Sequence, residues 1–203
     1  MLAKLMSLFL LGLIRVLTGS QARWHGCPPK AEQRIYFANH QSHADLVMIW
    51  AALPKELRAV TRAIAARDYW TKTPFKQWLT TAVFNVIYVS RDRTADEDPL
   101  EPLLEALANG DSIILFPEGT RGYAEEPQPF KAGLYNLACK FPQAVLIPAW
   151  INNVQHVLPK GEVIPVPVLC SVTFGAPMQV IEGEECKAFL TRARQAVIAL
   201  RDV

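Results

Sequence analysis

The sequence predicts an α/β domain built on a mostly parallel, helix-covered sheet. Short β-rich runs alternate with helical stretches along most of the chain, and strands that alternate with helices pack as crossover units with helices against the sheet. The 203 residues are 51% hydrophobic and 20% charged. A chain of this length buries about 70% of its unfolded surface in a single core and needs no disulfide or metal framework. Two segments are expected: a membrane-interface helix over 1–19 and one domain over 20–203.

After a turn-rich stretch at Gly26, Pro28 and Pro29, residues 34–38 form a β-rich run and 46–53 read as a helix stopped by Pro54. A strand is expected over 57–61, helices over 65–70 and 75–83, and a strand over 86–90. A helix over 99–108 ends at Asn109-Gly110 and leads into the apolar strand 113–116. The spacing then predicts a helix over 131–141, strands over 144–151 and 169–174, and a last helix over 184–201. That helix places Phe189, Leu190, Ala193, Val197 and Leu200 on one face and three arginines on the other.

The first nineteen residues, MLAKLMSLFLLGLIRVLTG, hold an uncharged apolar run from Leu5 to Ile14. A bilayer-spanning helix needs about 20 such residues. A secretory signal peptide, a buried core helix and a helix lying in the membrane interface all fit this length. No A-x-A cleavage site follows, and Lys4 and Arg15 could reach lipid phosphates, so the interfacial helix is expected. Four scattered cysteines, Cys27, Cys139, Cys170 and Cys186, lack any C-x-x-C pair and read as reduced thiols of a cytosolic protein.

Lysine and arginine number 21 against 19 acidic residues, a formal +2, and the isoelectric point is near 8.4. A nucleic-acid partner is not expected, since such domains usually exceed about 9. The charge is unevenly spread. Residues 55–93 carry eight bases and three acids, while 94–111 carry six acids and no base. Two solvated faces of opposite sign would explain this, as would a basic half that attracts a phosphate-bearing ligand.

Two clusters could perform chemistry. Asn39-His40-Gln41-Ser42-His43-Ala44-Asp45 lies between the first inner strand and its helix, where open parallel sheets bind ligands. Asp45 can fold back across the turn and fix one tautomer of His40, leaving the other nitrogen as a general base. The same spacing would serve a helix cap. His43 could replace His40 as the base or pair with it on a metal, although two histidines without a further ligand make a poor metal site. The second cluster, Phe116-Pro117-Glu118-Gly119-Thr120-Arg121-Gly122, follows the apolar strand. Its glycines permit close backbone approach and Arg121 offers a fork suited to phosphate, whereas a tight turn with an Arg–Glu pair would use the same residues. Arg91, after the strand at 86–90, would project from the same edge of a parallel sheet. Gly110-Asp111-Ser112 is read as a turn. Serine-hydrolase elbows, Walker phosphate loops and dinucleotide fingerprints are absent from the sequence. Direct transfer to a hydroxyl therefore fits better than a covalent enzyme intermediate.

Together, His40 with Asp45, the block Asn85–Arg91, Phe116–Arg121 and the looser block Val145–Ala149 resemble the glycerolipid acyltransferase family, with lysophosphatidate acyltransferases as its best-known members. The resemblance spans about residues 34–150, in the family's order. It implies that His40 deprotonates a lysophospholipid hydroxyl, with 1-acylglycerol-3-phosphate as acceptor, while Asp45 orients the imidazole. By the same resemblance Glu118, Gly119, Thr120 and Arg121 contact the glycerol phosphate, Arg91 adds a second phosphate contact, and Pro148 lines the acyl or thioester side. The co-substrate would be acyl-CoA or acyl carrier protein, with no other cofactor and no metal, and the enzyme would work at the cytoplasmic face of a membrane. His43 falls at a variable position of the pattern, which favours His40 as base. Asn85 stands where the family often has glycine, and Ser90 precedes Arg91 where an apolar or acidic residue is more familiar. An acyl thioester hydrolase and a non-catalytic lipid-binding protein are the alternative readings.

Overall fold

The computed structural model describes residues 2–19, 21–42, 44–89, 98–122, 124–153 and 169–203. Seven strands form one sheet: β1 (Gln21–Trp24), β2 (Arg34–Ala38), β3 (Thr61–Ala66), β4 (Ile87–Val89), β5 (Ser112–Leu115), β6 (Val145–Asn152) and β7 (Ser171–Phe174). Their order is β1-β7-β6-β2-β5-β3-β4, and every neighbouring pair is parallel except β6 with β7. The expected fold class, an α/β domain with a mostly parallel sheet, is what the chain adopts.

Strand alternation splits the core into two layers. Tyr36, Ala38, Ala63, Ala65, Ile114, Ile147 and Ala149 point to one face. There they meet α2 (Asp45–Ala52), Leu57 of α3 (Lys55–Ala59), and part of α1 (Leu2–Thr18). Ile35, Phe37, Ile113, Leu146 and Trp150 point to the other face. These are covered by α6 (Glu101–Ala108), α7 (Gly133–Lys140) and α8 (Cys186–Ile198), the last through the expected stripe of Phe189, Ala193 and Val197 with Leu200 beyond it. Two further helices, α4 (Arg67–Trp70) and α5 (Pro74–Ala82), connect β3 to β4.

Two readings of the chain need correction. Residues 57–61 lie mostly in α3, because Pro54 sits at the N-cap and its carbonyl receives the Arg58 amide; the strand follows at Thr61–Ala66. That strand carries three alanines and little β-branched bulk, so its β signal is weak in sequence. Strand β1 sits in a stretch read only as turn-rich. It is an edge strand paired in parallel with β7, and Trp24 stacks on Phe174 with ring centroids 4.1 Å apart. Asn85, which stands in place of a glycine, has a φ of 48°, a left-handed conformation that asparagine tolerates better than most residues.

The first helix docks by one side only. Leu10, Leu11 and Ile14 pack on the core, while Leu2, Leu5, Phe9, Leu13 and Val16 recur at three- and four-residue spacing along an exposed stripe that Leu8 widens. Lys4 and Arg15 are also exposed, about three helical turns apart. No helix among the described residues is long and apolar enough to cross a membrane.

Beyond the end of β2, the buried Asn39 side chain extends the pairing with β6. Its Nδ2 donates to the Ile151 carbonyl at 3.0 Å and its Oδ1 accepts from the Ile151 amide at 2.8 Å. Asn39→Ala leaves both groups of Ile151 without these partners. The expected loss is about 2–4 kcal/mol of unfolding free energy, measured by urea denaturation followed by circular dichroism. A loss below about 0.5 kcal/mol would refute the role of this amide as a sheet stitch.

Candidate active site

Strands β2, β5 and β3 run parallel side by side, so their C-terminal ends open on one rim of the sheet. The chain leaving β2 carries His40 and the chain leaving β5 carries Phe116. Their rings stack with centroids 4.3 Å apart and planes 18° apart.

Asp45 is the first residue of α2 and is buried. One of its oxygens, Oδ2, accepts from the amides of Gln41 at 2.6 Å and Ser42 at 2.8 Å, and lies 2.9 Å from His40 Nδ1. A carboxylate accepts and does not donate, so the neutral imidazole is assigned its proton on Nδ1. Nε2 is then an acceptor with no partner among the described residues. His40 keeps 19% of its side chain exposed against 2% for Asp45, which leaves the imidazole reachable from the cleft.

The turn after β5 is tied beneath this loop. Glu118 is 2% exposed, and its two carboxylate oxygens accept from different backbone amides, His40 N at 2.7 Å and Gln128 N at 2.7 Å. Burial pushes the Glu118 carboxyl up from its ordinary range, and the two amide hydrogen bonds pull it part of the way back. The His40 carbonyl in turn accepts from Gly122 N at 2.8 Å. Glu118 is thus a strut that sets the height of His40. Glu118, expected from the resemblance to contact the glycerol phosphate, is buried here with both oxygens on backbone amides.

A cleft of about 540 Å³ opens between these segments. His40, Phe116, Gly119, Thr120, Arg121 and Lys131 line its polar end. Ile64, Leu100, Leu103, Leu115 and Leu134 line an apolar wall. Gly119 has a φ of 71°, and a Cβ added there would lie 2.6 Å from the Lys131 ammonium. The glycine is needed both for its backbone and for the lysine stem that lies across it.

The structure therefore brings His40, Asp45, Glu118, Gly119, Thr120 and Arg121 together. Pro148 is not among the residues lining the cleft. It is buried within β6, where its carbonyl accepts from Gly175 N as β7 ends. Arg91 and His43 lie outside the described residues. Lys131 and the Phe116 plate escaped the sequence reading. Both flank the glycine turn, yet neither a lone lysine before a helix nor a strand-end phenylalanine is distinctive by pattern. No cluster of three or more metal-ligating side chains occurs among the described residues.

A family model described as Acyltransferase matches residues 24–152. The chain is 27% identical over 205 residues to 1-acyl-sn-glycerol-3-phosphate acyltransferase alpha of Bos taurus, covering 97% of this chain and 68% of that protein. It is 30% identical over 165 residues to the Homo sapiens protein of the same name, covering 78% of this chain and 55% of that one. The chain therefore spans little more than half the length of the human relative. Among solved structures, the 1-acyl-sn-glycerophosphate (LPA) acyltransferase PlsC from Thermotoga maritima superposes with a TM-score of 0.70 at 24% identity. It covers 98% of this chain and 79% of that one. At that identity the superposition establishes the shared fold. Because the paired His40 and Asp45, the glycine turn and every residue lining the cleft fall inside the matched segment 24–152, the chain belongs to the acyltransferase family.

Proposed function

We propose that this protein moves a fatty acyl group from an acyl thioester, on coenzyme A or acyl carrier protein, to the free hydroxyl of 1-acylglycerol-3-phosphate, giving phosphatidate. The observation that carries this reading is the 2.9 Å pairing of His40 Nδ1 with buried Asp45 at the mouth of a cleft that is cationic at one end and apolar along its wall. The choice of acceptor follows the bovine and human relatives, which are 1-acyl-sn-glycerol-3-phosphate acyltransferases by name.

In this reading Nε2 of His40 takes the proton from the acceptor hydroxyl as its oxygen attacks the thioester carbonyl. Asp45 holds the ring in place and stabilises the imidazolium that forms. The tetrahedral intermediate then collapses, the carbon–sulfur bond breaks, and the leaving thiolate takes the proton back from Nε2. The ester and the free thiol are the two products. Gly119, Thr120 and Arg121 face the glycerol phosphate, and the acyl chain lies along the leucine-lined wall. The first helix rests in the interface of a membrane on its cytoplasmic face, with the exposed stripe from Leu2 to Val16 in lipid and Lys4 and Arg15 near phosphates.

Purified protein is expected to release thiol from acyl-CoA only when lysophosphatidate is present, with phosphatidate detected by mass analysis. Release without an acceptor would make the protein a thioester hydrolase and overturn the reading. His40→Ala and Asp45→Asn are each expected to lower kcat by about 10²- to 10⁴-fold with circular dichroism unchanged. A His40→Ala enzyme that keeps most of its activity would remove the histidine from the mechanism.

Glu118→Gln replaces one of two accepting oxygens with a donor that faces an amide N–H. Displacing His40 by about 1 Å should lower kcat by about 10²-fold while KM changes little. A change in KM alone would return Glu118 to the role of a ligand contact. Finally, Leu5→Glu with Phe9→Glu, both exposed, should move protein from the vesicle pellet to the supernatant in co-sedimentation without loss of fold. Unchanged pelleting would place the membrane contact elsewhere.

A further inference from the structure

The cleft holds two cations with no hydrogen bond or ion pair among the described residues, Arg121 and Lys131. The two buried carboxylates of the loop and the turn beside the cleft do not neutralise them. Asp45 is committed to two amides and an imidazole, and Glu118 to two amides. Asp68 of α4 lines the same cleft and has an interaction of its own. Two positive side chains that have no ion pair among the described residues raise the affinity of the cleft for an anion.

Lys131 is not a passing surface lysine. Its backbone amide donates to the Pro117 carbonyl at 2.9 Å, which fixes the start of its side chain against the glycine turn. The stem then lies flat over Gly119, whose missing Cβ would fall 2.6 Å from Nζ, 2.9 Å from Cε and 3.0 Å from Cδ. The ammonium is therefore held on the same turn that carries Thr120 and Arg121 and begins at Phe116, the plate on which His40 stacks. Helix α7 starts two residues later, so its N-terminal amides add to the positive potential there.

Resting on the acyl-transfer reading above, we propose that Lys131 binds the phosphate of the acceptor lipid together with Arg121, as the second cation of a two-sided phosphate clamp. Arg121 offers a planar fork, and Lys131 a point charge held across Gly119. The reach favours the acceptor over the donor. In a glycerol phosphate lipid the reacting hydroxyl and the phosphate sit on adjacent carbons, so a phosphate contact must lie close to His40. In coenzyme A the phosphates lie a long pantetheine arm away from the thioester. The clamp also gives Gly119 a reason beyond its φ, since any side chain there would push the ammonium out of place.

The test is steady-state kinetics of wild type, Lys131→Met and Lys131→Arg with acyl-CoA and two acceptors, lysophosphatidate and the phosphate-free monoacylglycerol. Lysophosphatidate binding is followed separately by quenching of tryptophan fluorescence, which Trp70 in the cleft wall makes sensitive to occupancy. Lys131→Met should raise KM and the dissociation constant for lysophosphatidate about tenfold or more, leave kcat within about threefold, and leave KM for monoacylglycerol unchanged. Lys131→Arg should restore most of the affinity. Equal loss toward both acceptors, or unchanged binding, would overturn the clamp. A rise confined to KM for acyl-CoA would overturn the acceptor assignment and give Lys131 to the donor. If wild type binds lysophosphatidate but transfers nothing to it, the acyl-transfer reading fails, and the fluorescence arm still decides whether Lys131 holds phosphate.

Discussion

One oxygen of one carboxylate organises the catalytic edge of this protein. Asp45 Oδ2 gathers the amides of Gln41 and Ser42 and the imidazole of His40 within a buried turn at the start of α2. Three donors compensate a charge that burial alone would make costly, and the same three bonds fix the imidazole ring. The opposite side of the loop is fixed in the same manner, because Glu118 receives the His40 amide and the Gln128 amide. The histidine is therefore held at its side chain by one buried acid and at its backbone by another. Each acid belongs to a different strand connection, so the position of His40 depends on β2 and β5 lying side by side.

The parallel sheet makes that neighbourhood possible. Strands that enter from the same direction release their loops at the same rim, and the small side chains of β3 leave room there. Ala65 and Ala66 line the cleft where a valine or isoleucine would fill it. The leucines of α6 and α7 complete the apolar wall as an extension of the second core layer, so substrate-facing and structural packing share residues such as Leu103 and Leu134. Thus a weak strand signal in sequence and an open cleft in space have one cause.

Charge follows the same logic of commitment. Asp45 and Glu118 are committed to backbone amides, while the side chains of Arg121 and Lys131 have no ion pair among the described residues. The glycine at 119 lets the lysine stem cross the turn, and the two connections that build the base also present the positive end of the cleft. The first helix is organised differently. It buries only one side, and its exposed leucines form a continuous apolar face that the domain itself does not cover.

Much of this was legible along the chain. Alternating strands and helices gave the fold class, because periodicities of two and of 3.6 are local properties. His40 with Asp45 was readable because their five-residue separation closes within one turn. The glycine-rich block was readable from the conformations that glycine allows. What the sequence by itself determined, then, are those features whose cause lies within a few residues. Tertiary structure decided the rest. The short strand at β1 pairs with β7, far off in sequence. Pro148, which the family resemblance implies for the acyl or thioester side, is buried in a strand on the far side of β2 from β5. The amide partners of Glu118 and the glycine beneath Lys131 come from the packing of separate segments. In each case the deciding partner is distant along the chain, and which groups a side chain meets, or leaves unmet, is set by the packing of the sheet.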